Sequence, residues 1–296
     1  MTGAYPVVSQ RQTNPPLKVG LDGLESEPWQ VTKEIPKSPS NGLLVPRRKV
    51  FHFTMVAMLL PSTYIDPGFI TLSLILMLAI FLLLDLIRAS QLPPLSKPIA
   101  RFLTPYVDGR DLRGPVVISH IFLLIGCAIP LWLSMASLSR TGSGALQGWE
   151  VPTRDVSMVA GIVCVGLGDA AASLIGRRWG RRKWLWGGGK SIEGSLAFTV
   201  AVFIGLMAAQ IWVHVGGWQV TTAVTAGNDI ESLVVGDPGF VRNLLPSLWR
   251  AMSMATVQKI TVCSAMASLT EAVLTGGNDN VVVPVGLWTC VKGMDI

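Results

Sequence analysis

Charge is scarce in this chain. Only 14% of its 296 residues are Asp, Glu, Lys or Arg, against about 25% in an ordinary soluble domain, while 50% are hydrophobic. Cysteine is also sparse: Cys127, Cys164, Cys263 and Cys290 lie far apart, inside or beside apolar runs, with no CxxC pair. That argues against zinc and redox frameworks and leaves small buried hydrophobes as the expectation. The opening MTGAYPVVSQRQTNPP lacks the apolar core of a secretory leader. A net charge of +6 raises the question of nucleic acid. The basic residues lie between apolar runs instead of on one polar face, and no nucleic-acid partner is expected.

Long apolar runs are what the chain does have. Residues 1–46 are polar and proline-dotted without helical period and are expected to be a disordered cytosolic tail. Residues 47–296 read as one polytopic membrane domain. The stretch VFHFTMVAMLLPSTYI contains His52 and suits either a tilted span or a half-buried entry helix. Residues 69–87 are long enough for a hydrocarbon core of about 30 Å. Pro115–Met135, Val156–Ile175, Ser195–Gly216 and Ala251–Thr275 follow as further spans, and VVVPVGLWTCV is short and broken by Pro284. Residues 218–250 read as a polar surface loop. The fold class expected is all-α: a multi-span transmembrane helix bundle with a disordered N-terminal tail.

Orientation follows from the basic residues. GRRWGRRKWLWGGGK carries Arg177, Arg178, Arg181, Arg182, Lys183 and Lys190 without an acid. Placed in the cytosol by the positive-inside rule, it brings Arg88, Lys97, Arg101, Arg110 and Arg113 to the same side. Arg47, Arg48 and Lys49 join them if the first stretch crosses. Arg140, Arg154, Arg242 and Arg250 fall on the other side, among acids.

That parity gathers four polar constellations at the cytosolic end. In GLGDAAASLIGRRWG, Asp169 and Ser173 share a helix face one turn apart. A carboxylate near the membrane interior is expensive without a partner or a task. Gly166, Gly168 and Ala170 to Ala172 allow close approach of a ligand, or of another helix. In GGGKSIEGS, glycines before Lys190 and Ser191 suit a phosphate cradle, although a plain interhelical linker has the same composition. The Walker spacing is absent, because Leu185 stands where its first glycine belongs. Glu193 then opens a helix, where it favours the N-terminus or a metal. In VDGRDLRGPVVISHI, His120 lies in the early turns of a span, as a base for a hydroxyl or as a packing residue. In SLTEAVLTGGNDNVVVP, Glu271, Asp279 and Asn280 offer oxygen donors suited to a hard divalent cation, or simply turn and cap chemistry. Basic loop, carboxylates and apolar bundle together describe phosphoryl transfer from a nucleotide to a lipid.

The segments RRKVFHF, DGRDLRGPVVISHIFLLIGCAIPLWL, GDAAASLIGRRWG, GKSIEGS, and TEAV with NDNVVVP resemble, in order, the catalytic half of dolichol kinases. These belong to a superfamily of CTP-using polyprenol, phytol and diacylglycerol kinases. The resemblance covers roughly residues 47–290. It implies transfer of the CTP γ-phosphate to dolichol, giving dolichyl phosphate for protein glycosylation, by a multi-pass protein of the endoplasmic reticulum membrane with its site facing the cytosol. It implies nucleotide-binding roles for Gly168, Ser173, Arg177, Lys190, Ser191, Glu193 and Gly194. Asp169, Glu271 and His120 become the candidates for catalysis, and Asp169 and Asp279 those for a divalent cation such as Mg2+. Gly109 stands where the family commonly has an acid, and Gly189 where it has a lysine. Members are usually longer, with additional N-terminal spans. A diacylglycerol or other prenol kinase, an ion transporter using Asp169, Glu271 and His120, and an inactive scaffold are the competing readings.

Overall fold

A computed structural model describes residues 41–90, 98, 118–141, 143–186, 188–215, 219–220, 249, 252–274 and 279–296. The expected tail over residues 1–40, the Asp108–Arg113 charges and nearly all of the 218–250 loop lie outside these residues. Helix α1 spans Asn41–Ile65 and so begins inside the stretch expected to be tail. Helix α2 spans Pro67–Ala89. Asp66 caps it by accepting from the Phe69 amide at 2.9 Å, and Pro67 takes the first helical position, where its missing N–H costs nothing. Helix α3 is Ile118–Ser137. A π-helical segment, Ile162–Gly168, runs into α4, Asp169–Trp179. Helix α5 is Ile192–Val215, α6 is Met254–Val273 and α7 is Asp279–Gly293. A two-residue parallel pair, β1 (Thr153–Arg154) with β2 (Gln219–Val220), is a small departure from an all-α bundle.

Two of these helices are long and apolar enough to cross a membrane among the described residues: Pro67–Ile87 of α2 and α5 itself. At 1.5 Å per residue, the 24 residues of α5 reach about 36 Å. Both present apolar side chains outward. Phe69, Leu72, Leu76 and Leu83 do so on α2, and Leu196, Val200 and Ile204 on α5. In water such stripes invite aggregation, whereas in lipid they are the solvated face. This is a membrane protein. The other expected spans are helices as well, but shorter or less apolar.

The inner faces meet around Tyr64, Ile162, Val163, Phe198, Val202, Leu206, Ile260 and Leu287, all buried. Two prolines shape how closely the backbones pack. Pro284 does not break the final helix as expected but lies inside α7. Having no N–H, it leaves the carbonyl of Asn280 without its intrahelical donor. That carbonyl abuts Gly126 of α3, where an added Cβ would lie 1.9 Å from it. Pro130 in α3 frees the carbonyl of Gly126 in the same way, and this one abuts Gly161, where a Cβ would lie 2.4 Å away. Each freed carbonyl thus faces a glycine Cα, a geometry suited to Cα–H···O contact.

Arg154, counted from sequence as a loop charge, is buried. Its guanidinium donates to the carbonyls of Tyr64 at 2.6 Å and Ile65 at 3.0 Å, closing the orphaned end of α1. Nearby, Lys292 on α7 pairs with Asp155. This polar knot ties α1, α7 and the segment before the π-helix at the end of the bundle away from Asp169.

Gly126→Ala and Gly161→Ala are expected to lower the melting temperature of the detergent-solubilised protein, each costing roughly 1–3 kcal/mol through backbone displacement. Gly286→Ala, on α7 with nothing within 4 Å of the added methyl, is expected to leave it unchanged or raised, since Ala favours helix over Gly.

Candidate active site

The π-helical segment delivers Asp169. The Asp169 amide donates to the Cys164 carbonyl, five residues back. This wider turn inserts an extra residue into the helix, as π-bulges near functional sites commonly do. The half-buried Asp169 then lines a pocket with Cys164, Phe198, Glu271, Asp279, Asn280 and Pro284. Its Oδ2 lies 3.9 Å from Nδ1 of His52, a buried side chain of α1. That distance is electrostatic proximity, too long for a hydrogen bond.

Lys190 joins the carboxylates across the chain. Its Nζ lies 2.8 Å from Glu271 Oε1 and 3.4 Å from Asp279 Oδ2, and it donates to the Glu271 carbonyl in the last turn of α6. A cation satisfying the orphan carbonyls of a helix C-terminus is electrostatically favoured. Asp279 opens α7, where a carboxylate is favoured for the complementary reason. Three carboxylates thus line the pocket, and one ammonium pairs with two of them.

The basic loop is an ordered hairpin. The Ile192 amide donates to Arg182 O at 3.0 Å and the Trp184 amide to Lys190 O at 3.2 Å, with Lys183 bridging Ser191 between them. Gly188 and Gly189, with φ of 78° and 75°, make the turn, a left-handed conformation that glycine adopts without a Cβ penalty. Lys183 Nζ donates to the Gly189 carbonyl at 2.6 Å, so an ammonium stands beside this turn. The indoles of Trp184 and Trp186 stack at 4.6 Å. Their N–H groups donate to Ser195 Oγ and to the Ala272 carbonyl.

The structure brings Asp169, Glu271, Asp279 and Lys190 together, and it places other expected ligand residues in packing or capping. Ser191 is buried, and its Oγ caps α5 by accepting from the Gly194 amide at 3.1 Å. Gly168 packs on Phe198 and Val202, and Gly194 on Ala172 and Gly176, with no room for a Cβ at Gly168. Glu193 accepts from the Arg182 amide at 3.2 Å, fastening the hairpin to α5. Ser173 Oγ donates to the Ala170 carbonyl, and Arg177 is exposed in the last turn of α4. His120 lies in the first turn of α3, with its side chain outside the described residues. His52, Cys164 and the two tryptophans were not singled out from sequence. Only the presence of RRKVFHF among the resembling segments pointed to His52.

No group of three or more His, Cys, Asp or Glu among the described residues converges closely enough to cage a metal. The donor set still fits Mg2+, which is typically held by one or two carboxylates, water and substrate phosphates.

No family model and no solved structure matches the chain. Curated proteins do. It is 35% identical over 249 residues to the dolichol kinase sec59 of Schizosaccharomyces pombe, covering 84% of this chain and 39% of that protein. It is 31% identical to the dolichol kinase EVAN of Arabidopsis thaliana, over 62% of this chain and 31% of that protein. Against the human dolichol kinase the identity is 33%, over 56% of this chain and 29% of the relative. The chain therefore spans less than two fifths of the length of these relatives. The resemblance read from its motifs is borne out: the chain is a relative of the dolichol kinases.

Proposed function

We propose that this chain phosphorylates dolichol with CTP as donor, giving dolichyl phosphate, at the cytosolic end of a multi-span bundle in the endoplasmic reticulum membrane. The observation that carries this reading is the junction of Lys190 with Glu271 and Asp279, on the pocket that Asp169 also lines. The names of the curated relatives support the acceptor. CTP, the endoplasmic reticulum and the protein-glycosylation setting rest on the motif resemblance.

Phosphoryl transfer through a loose transition state asks for positioning and charge neutralisation more than for covalent chemistry. Lys190, held at the end of α6, is the ammonium placed to meet a terminal phosphate. The three carboxylates alone would repel a nucleotide triphosphate. Asp169 and Asp279 would hold a divalent cation, which would supply the charge neutralisation that a triphosphate needs beside three carboxylates. The acceptor hydroxyl oxygen bonds to the γ-phosphorus and gives its proton to a pocket carboxylate, Asp169 or Glu271, as the bond to the bridging oxygen breaks and CDP leaves. A site at one end of the bundle suits this chemistry, because the nucleotide arrives from water while the lipid tail remains in the bilayer. It suits an ion path less well, since Glu271 and Asp279 lie at the ends of helices α6 and α7 rather than at mid-span.

Membranes carrying this chain, supplied with labelled CTP and a panel of lipid alcohols, are expected to label dolichol. Labelling of diacylglycerol and not dolichol would transfer the proposal to the diacylglycerol kinases, and absence of any labelled lipid would overturn the enzymatic reading. For orientation, Leu185 at the hairpin tip is fully exposed. Leu185→Cys in sealed microsomes is expected to react with a membrane-impermeant maleimide without detergent. Reaction only after detergent would place the hairpin in the lumen.

A further inference from the structure

We infer that the outer face of Trp186 is a stacking platform for the nucleobase of the donor nucleotide. This deepens the proposed nucleotide-dependent reaction and rests on it for the identity of the ligand.

The hairpin ladder fixes where the two tryptophans stand. Trp184 lies where the ladder meets the turn and Trp186 lies within the turn, and their indoles stack at an interplanar angle of 14°. Trp184 is the inner ring, half-buried, with its N–H on Ser195 Oγ at 2.9 Å. Trp186 is the outer ring. One of its faces lies on Trp184 and its N–H is taken by the Ala272 carbonyl at 2.8 Å, yet 46% of the residue is exposed. Nearly half of the residue thus stays accessible although one face and the N–H are engaged. A nearly parallel two-ring stack whose outer member is about half exposed, with both N–H groups already satisfied, can take a third flat ring.

Position relative to the phosphate site is set by helix α6. Trp186 is held on the carbonyl of Ala272 and Lys190 on that of Glu271. Indole edge and ammonium are therefore fastened to neighbouring carbonyls of one helix end. A ligand carrying both an anionic chain and an aromatic ring can meet Lys190 with the first and Trp186 with the second. Stacking of this kind contributes affinity and tolerates any base, because every base has a π-face.

The alternative occupant of an exposed tryptophan beside a bilayer is the lipid interface. The satisfied N–H favours the base here, since interfacial tryptophans use a free polar edge toward water and headgroups.

The test is equilibrium binding to the purified full chain in detergent with Mg2+, comparing CTP with inorganic tripolyphosphate, which has the anionic chain and no ring. Wild type is expected to bind CTP on the order of tenfold more tightly than tripolyphosphate. Trp186→Leu should remove that advantage while leaving tripolyphosphate affinity unchanged, which also certifies the fold. Trp186→Phe, which keeps a ring and loses the N–H, should retain most of it. Equal binding of the two ligands by wild type, as expected if lipid covers the indole, would overturn the inference. So would a parallel loss of both ligands in Trp186→Leu, which would reduce Trp186 to a support for Lys190. A chain that shows the CTP advantage but labels no lipid would fail as a kinase while keeping the stack.

Discussion

Three segments distant in sequence end at one ammonium group. Lys190 leaves the hairpin, reaches the last turn of α6 and meets the first residue of α7, contacting the Glu271 carboxylate and carbonyl and the Asp279 carboxylate. The Lys190 and Glu271 side chains are only 20% and 17% exposed, so the pair is partly desolvated. Removing one member leaves charge without its compensation, which is costly in such a setting. The remainder of the site follows from this clamp. Trp186 is carried onto α6 by the same hairpin, Glu193 and Ser191 fasten that hairpin to α5, and the π-turn aims Asp169 at the space between.

The opposite end of the bundle is tied as well. Arg154 closes α1 and the Asp155–Lys292 pair fixes α7, so both helices are anchored far from the chemistry. Between the two ends, prolines and glycines act as pairs. Pro284 and Pro130 free the carbonyls of Asn280 and Gly126, and Gly126 and Gly161 receive them. The helices that carry Asp279 and Asp169 are thereby both held close to α3. Position at the site is inherited from backbone contact deep in the bundle.

Much of this was legible in the sequence, and what was missed has physical reasons. Asp169, Lys190, Glu271 and Asp279 stood out because charge inside a mostly apolar chain is expensive and therefore informative. Charge parity brought them to one end without knowledge of the fold. Pro284 misled, because a proline reads as a helix break until a neighbouring glycine offers its freed carbonyl a close contact. Ser191 and Gly194 are harder to read, because a cap, a close helix crossing and a phosphate cradle use the same small residues. The π-turn before Asp169 leaves no mark in hydrophobic periodicity. The burial of Arg154 was hidden because a basic residue between spans reads as an orientation signal, whereas its guanidinium serves as a helix cap.

The central claim is that three carboxylates and one lysine form a nucleotide triphosphate site which works only with a divalent cation. Titration of CTP into the purified chain tests it most directly, with Mg2+ and with chelator, for wild type and Lys190→Met. The account predicts binding with Mg2+, weakened at least about tenfold by chelation, and weakened by a further two orders of magnitude or so in Lys190→Met, the scale on which a preorganised charge partner acts. Equal binding with and without Mg2+, or unaltered binding by Lys190→Met, would contradict it.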